Sequence, residues 1–229
     1  MNRPVDPVVA SAPEANPILH EYFRSSASFR VRIALNLKGI EYQAVSYHLR
    51  RGEHRLPDYL ALNPAGLVPT LELSGHAISQ SLAIIELIDE IHPNPSFLPD
   101  NPLDRATVRS LAQMIACDIH PLNNLRVLNY LRENLGSDEH AVKQWYNHWL
   151  AQGFLALEAQ LQRHAGRGLY CFGNAPSLAD ICLVPQCVNA AKYDFDIGQY
   201  PVIAAIFARC LSLPAVNMAM PSRQPDAQS

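Results

Sequence analysis

The sequence predicts two domains of different class, an α/β domain followed by an all-helical domain. Short apolar runs typical of strands occur only in the first part of the chain, whereas the second part carries apolar residues at helical spacing. Between them, residues 92–103 contain four prolines, which cannot continue a helix. A chain of 229 residues can form two small domains that each bury a core. We therefore place the α/β domain at residues 18–91, a linker at 92–103 and the helical domain at 104–212.

The first predicted strand and helix flank a polar turn. An apolar segment at residues 18–22 predicts a strand, and it is followed by Ser25 and Ser26, where a serine can cap a helix. The apolar positions within residues 29–37 fit both the alternation of a strand and the spacing of a helix. We favour a helix because the serines can start it and Gly39 can end it in a left-handed cap.

Short apolar runs and their turns predict the rest of this domain. Residues 41–48 predict a second strand, and a polar stretch with one or two helical turns follows. Residues 68–73 and 76–78 predict a hairpin, since a Ser-Gly pair separates them. Residues 80–91 have helical apolar spacing, so the predicted order is β-α-β followed by β-β-α.

Helical spacing predicts four helices in the second domain, at residues 104–135, 138–164, 177–192 and 201–211. Pro121 should kink or open the first of them. Ser177 and Asp180 have the spacing of a capping box, which we interpret as structural.

Both ends of the chain are expected to be tails. Residues 1–17 contain four prolines and two acidic residues, which interrupt the apolar core that a signal peptide needs, so we expect a disordered tail. Residues 213–229 are rich in proline, serine and glutamine and are expected to fray.

The composition disfavours several kinds of partner. With 18 Lys and Arg against 21 Asp and Glu, the chain has no basic excess for nucleic acid or an anionic membrane surface. No apolar run approaches the roughly 18 residues that span a bilayer. The five cysteines are scattered and the nine histidines form no zinc motif, so we expect no metal and a cytoplasmic location. The expected partner is a small molecule or another protein.

The polar turn before the first helix is a candidate anion site. Ser25 and Ser26 lie where free N–H groups and the positive end of a helix dipole stabilise an anion or a thiolate. A simple N-cap explains the same serines, and spacing alone favours the cap.

Pro69 and the pair Gln80 and Ser81 can each be interpreted in two ways. Pro69 is either an edge-strand proline or follows a cis bond, which would turn the backbone of Val68 outward to pair with an extended peptide. Gln80 and Ser81 begin the helix after the hairpin, and a cap and a carboxylate site explain them equally well.

His120 and Asn124 share a helix face at i, i+4, with Arg126 nearby. A lone histidine on a helix is more often a packing residue than a ligand. Arg126 is explained as readily by a solvent-exposed charge as by a binding role.

Six groups of residues, in the same order along the chain, resemble one known family. They are Phe23-Arg24-Ser25-Ser26, Asn63-Pro64 with Val68-Pro69-Thr70, Gln80-Ser81-Leu82-Ala83, Asp118-Ile119-His120-Pro121, Leu178-Ala179-Asp180 and Arg223-Gln224-Pro225-Asp226. With them the chain resembles the zeta-class glutathione transferases, a family that includes maleylacetoacetate isomerases and is close to the glutathione-dependent maleylpyruvate isomerases. The resemblance implies a thioredoxin-like first domain, a helical second domain and a homodimer.

The resemblance also implies a role for each candidate residue. It assigns the glutathione thiolate to Ser25 and Ser26, the cysteinyl backbone to Val68, and the γ-glutamyl carboxylate to Gln80 and Ser81. The remaining positions line the glutathione site (His54, His120, Asn124) or meet the substrate's carboxylate and developing enolate (Arg24, Arg126, Lys192).

Three positions bear on how closely this chain follows the family. The usual Ser-Ser-Cys-Ser-Trp motif has Ala27 and Phe29 in place of its Cys and Trp, so glutathione would supply the only sulfur at the site. Arg126 stands where many maleylacetoacetate isomerases have a small polar residue, whereas maleylpyruvate isomerases offer arginine.

The implied activity is that of a glutathione-dependent cis–trans isomerase acting on a cis-enone dicarboxylate, of the maleylacetoacetate isomerase type in aromatic amino-acid catabolism. Maleylpyruvate isomerase, or a zeta-like glutathione transferase or binding protein with another electrophile, are the alternatives. A thiol–disulfide reductase needs the cysteine that Ala27 replaces.

Overall fold

The computed structural model describes residues 16–164 and 168–228 of the chain. Residues 1–15, which make up most of the expected N-terminal tail, lie outside the described residues. The first domain contains β1 (Ile18–Glu21), α1 (Ser26–Lys38), β2 (Gln43–Ser46), α2 (Pro57–Leu62), β3 (Thr70–Leu73), β4 (His76–Ser79) and α3 (Ser81–Ile91). The second contains α4 (Pro102–Gln113), α5 (Leu125–Glu133), α6 (Glu139–Arg163), α7 (Leu178–Ala191), α8 (Pro201–Leu211) and α9 (Pro214–Ala219).

The four strands form one mixed sheet in the order β2-β1-β3-β4. β1 runs parallel to β2, as a crossover through α1 requires, whereas β3 is antiparallel to both β1 and β4. Leu19 and Leu71 of the sheet are fully buried and belong to the same core as Ile33 of α1 and Ile84 of α3. The predicted fold class, a thioredoxin-like domain followed by a helical domain, is confirmed.

The ambiguous segment after Ser25 is helix α1, as predicted. Ser25 caps it, since its side-chain oxygen accepts a hydrogen bond from the N–H of Ser28 at 3.2 Å. Gly39 ends it with a φ of 66°, a conformation that glycine adopts without steric cost. α1 contacts α3, α7 and α9, so it is buried on several sides. This burial explains why its apolar residues follow no single period.

The first predicted helix of the second domain is not continuous. A π-helical segment (Met114–Ile119) and a 3-10 turn (Pro121–Asn123) separate α4 from α5. Pro121 lacks the N–H that a continuing helix needs, so the predicted opening occurs there. α6 approaches this segment closely, because a Cβ on Gly153 would lie 2.2 Å from Cγ1 of Ile119. Glycine at this position lets the two segments pack.

The capping interaction predicted at the start of α7 is confirmed. The Asp180 carboxylate accepts hydrogen bonds from the N–H and hydroxyl of Ser177 at 2.9 and 2.6 Å. It also accepts one from the N–H of Cys171 at 2.9 Å. These hydrogen bonds tie the loop before α7 to the helix. Burial raises the pKa of Asp180 although the hydrogen bonds act in the opposite direction.

The expectation that the chain frays after residue 213 is wrong for its described part. α9 buries Val216 and Ala219. Arg32 Nε donates to the carbonyl of Ala219 at 3.0 Å, and Asn36 Nδ2 donates to the carbonyl of Ala215 at 3.0 Å. The polar composition of this segment gave no sign of order, because polar side chains of α1 provide much of its anchoring.

No helix among residues 16–164 and 168–228 has the length and apolar character needed to cross a membrane.

Candidate active site

The candidate site contains the N-termini of two helices that are joined by a side chain of α1. Ser25 and Ser26 lie at the start of α1, and Gln80 and Ser81 at the start of α3. Arg30 of α1 links the two ends, since its Nη1 donates to Ser81 Oγ at 3.3 Å. Both ends offer free N–H groups and the positive end of a helix dipole. The arrangement favours an anionic ligand.

Ser26 connects the first domain to α7. Its buried hydroxyl accepts a hydrogen bond from Nδ2 of Asn189, and Oδ1 of Asn189 accepts one from Nζ of Lys192 at 2.8 Å. The chain Ser26–Asn189–Lys192 therefore brings a predicted substrate-binding cation next to a predicted catalytic serine.

Cations gather on this side of the site. Arg24 is exposed, and its guanidinium lies 5.0 Å from the ring centre of Phe23. The pKa of Lys192 is lowered to about 8, first by burial of its amine and then by the positive charges of Arg24 and Arg50. Although much of the Lys192 side chain is accessible, its amine lies in a crowded electropositive position. Dicarboxylate binding would relieve this repulsion.

Val68 and Gln80 show the backbone features expected of a peptide-binding edge. The Val68–Pro69 bond is cis, which decides the alternative left open by the sequence. Val68 packs with Tyr22 and Phe23, so it lies beside the turn that leads to Ser25. Gln80 has a φ of 72°, an uncommon conformation for a non-glycine residue, and its side chain is exposed.

His54 lies in a turn that packs against the loop before Val68. Its carbonyl oxygen is 3.2 Å from where a Cβ on Gly66 would lie, and the φ of Gly66 is 57°. His54 Nδ1 is buried and has no hydrogen-bond partner among the described residues. Burial and the adjacent Arg55 lower the pKa of His54, so the ring is neutral at physiological pH. A buried polar atom without a partner is consistent with a ligand at this place.

His120 and Asn124 flank the break between the π-helical segment and α5. His120 Nε2 lies 3.5 Å from Asn124 Nδ2, and Asn124 caps α5 by accepting from the N–H of Arg126 at 3.1 Å. The pKa of His120 is lowered to about 3, mainly by burial, then by the charges of Arg30 and Arg126. His120 therefore acts as a neutral hydrogen-bonding group. Arg126 is exposed in the first turn of α5.

No described cysteine lies at the start of α1, where Ala27 stands. Four of the five cysteines are buried, and burial raises their pKa, for Cys182 to about 11. These thiols are poor nucleophiles at neutral pH. Within the described part of the chain, no group of His, Cys, Asp and Glu could hold a metal ion.

Sequence reasoning missed three residues that bear on this site. Asn189 bonds Ser26, Arg30 bonds Ser81, and Asp226 accepts from the N–H of Phe23. Asn189 carried a signal, since it shares a helix face with Lys192 at i, i+3. Arg30 and Asp226 lay within segments that resemble the family but gave no local pattern of their own.

Comparison with known proteins identifies the family of this fold. Residues 24–91 match the model of the glutathione S-transferase N-terminal domain, and residues 143–209 match that of the C-terminal domain. A probable maleylacetoacetate isomerase from Vibrio cholerae is 47% identical, over 92% of this chain and 98% of its own.

Two solved structures are equally similar in fold. A maleylpyruvate isomerase described as a bacterial zeta-class glutathione S-transferase has a TM-score of 0.89 and 45% identity, covering 91% of this chain and 99% of its own. A maleylacetoacetate isomerase from Methylobacterium extorquens, with bound malonate and glutathione, has a TM-score of 0.89 and 41% identity, covering 93% and 100%. The chain therefore belongs to the glutathione S-transferase family and, within it, to the zeta class.

Proposed function

We propose that this protein is a glutathione-dependent cis–trans isomerase of the maleylacetoacetate isomerase type. The observation that carries the proposal is a pair of links at the start of α1: Ser26 is connected through Asn189 to Lys192, and Arg30 connects α1 to Ser81 at the start of α3. Ala27 stands there in place of a cysteine. Such a site can hold an anionic tripeptide thiol and an anionic substrate but has no nucleophilic sulfur of its own.

The residues present fit glutathione. The helix N-terminus with Ser25 and Ser26 suits its thiolate, and the N-terminus with Gln80 and Ser81 suits its γ-glutamyl carboxylate. The backbone of Val68, beside the cis bond, suits the cysteinyl backbone. The side chains that we place along the rest of the ligand are His54, His120 and Asn124. The buried and unpartnered Nδ1 of His54 supports the assignment, because a ligand would satisfy it.

Bound glutathione supplies a thiolate that adds reversibly to the cis double bond, which then rotates as a single bond and re-forms as trans when the thiolate leaves. The Ser25 and Ser26 hydroxyls, with the helix N-terminus, keep that sulfur ionised. Asn189 fixes the Ser26 hydroxyl through its Nδ2. The serines and the helix end therefore act as the catalytic groups of the chain.

Three cations are placed to meet the substrate's negative charge. Arg24 and Lys192 lie on the α1–α7 side of the site, and Arg126 lies at the start of α5. We assign them to the carboxylates and to the enolate that develops during addition. A dicarboxylate thereby gains contacts that a neutral electrophile does not.

The choice between maleylacetoacetate and maleylpyruvate is tested by measuring kcat/KM for both with the same enzyme preparation. We expect turnover of both, since the enone diacid is common to them, and Arg126 favours maleylpyruvate as the second candidate. Retention on immobilised glutathione without turnover of either would instead support a binding protein.

We further propose, from the family resemblance, that the protein is a cytoplasmic homodimer. Light scattering after size-exclusion chromatography should give about twice the chain mass of 25.4 kDa.

A further inference from the structure

Arg30 carries a buried charge that has no acidic partner among the described residues. Its side chain is 2% exposed, and its only hydrogen bond there runs from Nη1 to Ser81 Oγ at 3.3 Å. Nε and Nη2 are buried without a partner, and none of the ion pairs of the described residues includes Arg30.

Such a group does not stabilise a folded protein. An unpaired buried charge costs several kcal/mol of desolvation. The buried charge of Arg32, two residues further along the same helix, is compensated in the usual way. It pairs with Glu21 and donates to the carbonyls of Phe23 and Ala219 at 3.1 and 3.0 Å.

The position of Arg30 in the fold indicates which kind of group compensates its charge. The residue lies within α1, one turn beyond Ser25 and Ser26, and its guanidinium reaches the first residue of α3. The guanidinium therefore lies at the positive end of α3, and no ion pair among the described residues neutralises it. An anionic ligand would.

We propose that Arg30 is a positioning residue for glutathione, which holds the Ser81 hydroxyl in place and supplies the buried charge that attracts the γ-glutamyl carboxylate. The proposal rests on the proposed function, which places that carboxylate at Gln80 and Ser81. It predicts that the free protein and the glutathione complex respond in opposite directions when the charge is removed.

The test is Arg30→Met, which keeps much of the length of the side chain. Without ligand, its melting temperature should equal or exceed that of the wild type, because an unpaired buried charge is gone. Its dissociation constant for glutathione, measured by calorimetry, should rise about 10-fold or more, as expected for loss of a charge-assisted contact. Arg30→Lys should recover part of the affinity.

Arg32→Met is the matched control. It leaves the Glu21 carboxylate buried without its cation, so its melting temperature should fall clearly in the absence of ligand. If Arg30→Met fails to fold, or melts as early as Arg32→Met, Arg30 is structural and the proposal is overturned.

A glutathione analogue without the γ-glutamyl α-carboxylate tests whether Arg30 acts on that carboxylate. In 4-aminobutyryl-cysteinyl-glycine the γ-glutamyl residue has lost its α-carboxylate. The wild type should bind it more weakly than glutathione, whereas Arg30→Met should bind the two alike. Equal discrimination by both proteins would overturn the assignment to this carboxylate. Wild-type protein that binds glutathione but isomerises nothing would contradict the proposed function and leave the Arg30 result intact.

Discussion

The carboxylate of Asp226 accepts a hydrogen bond from the backbone N–H of Phe23 at 3.1 Å, across 203 positions of the chain. It also accepts one from the hydroxyl of Ser46, at the end of β2. Phe23 begins the turn that carries Arg24 and Ser25. The C-terminal segment therefore fixes the turn from which α1 starts, with the two serines that we propose as catalytic.

Asp226→Ala should loosen this turn. We expect a loss of about 1–2 kcal/mol in the free energy of unfolding in urea, as for a lost partner of a half-buried N–H. The value of kcat should fall as the serines lose their fixed position. Asp226→Asn keeps an acceptor oxygen and should stay closer to the wild type. Wild-type kinetics for Asp226→Ala would show that the turn holds its shape without this contact.

Replacing both Ser25 and Ser26 by alanine should reduce kcat about 100-fold, a loss comparable to that of a positioned donor at a developing anion. Glutathione affinity should change far less, because the other contacts of the tripeptide remain. Loss of the Ser25 cap should also cost about 1 kcal/mol of stability.

Ser25→Thr is the control for the cap, since threonine keeps a hydroxyl at that position. Equal loss of turnover and glutathione affinity in the double alanine variant would argue against a role in holding the thiolate.

Lys192 should make kcat/KM fall at alkaline pH. Its pKa is lowered to about 8, so the ammonium loses its proton as the pH rises through that value. If it binds a substrate carboxylate, kcat/KM should decline above about pH 8. In Lys192→Arg the guanidinium stays charged, and the decline should disappear. If kcat/KM of Lys192→Arg declines at the same pH as that of the wild type, a group other than Lys192 causes the decline.

His120 should make the fold sensitive to acid. Its pKa in the folded state is about 3, below the ordinary value of 6.5, so at pH values between these two the unfolded chain binds a proton that the folded chain does not. Stability is therefore lost as the pH falls from about 6.5 towards 3, by up to about 1.4 kcal/mol per pH unit. Urea unfolding of wild type and His120→Asn across this range should show a shallower dependence for the variant. If the free energy of unfolding of wild type and His120→Asn changed with pH in the same way, the lowered pKa assigned to His120 would be contradicted.

Arg126→Ala separates the two explanations of this exposed arginine. As a substrate ligand, it should raise KM for dicarboxylates about 10-fold. A neutral electrophile conjugated to glutathione should be unaffected. A uniform change across both substrates, or none, would favour a solvated surface charge.

The sequence predicted those features that depend on local chemistry. Gly39 and Ser177 perform the capping functions that their neighbours suggested, and the run of apolar segments predicted the element order of the first domain. The role proposed for His54 came only from the resemblance to a family, because nothing local marks the buried Nδ1 that the surrounding segments leave without a partner. For Val68, the following Pro69 offered a local indication of an outward-facing backbone.

The errors have physical causes. Apolar spacing predicted one helix over residues 104–135 with a kink or opening at Pro121, and the opening is present. The π-helical segment before it, which widens the helix, is not revealed by apolar spacing. The tail after residue 213 was expected to fray because its own composition is polar. Its order depends on Arg32 and Asn36, which are distant in sequence. Buried polar contacts of this kind form only when the domains dock.

The most direct test of the account is a reaction in which glutathione is present at far below the concentration of cis substrate. We predict that nearly all of the maleylacetoacetate or maleylpyruvate becomes the trans isomer, as measured by absorbance. The concentration of free thiol at the end of the reaction should equal that at the start. Absence of turnover, or conversion that stops when each glutathione has reacted once, would contradict a catalytic thiolate held by Ser25 and Ser26.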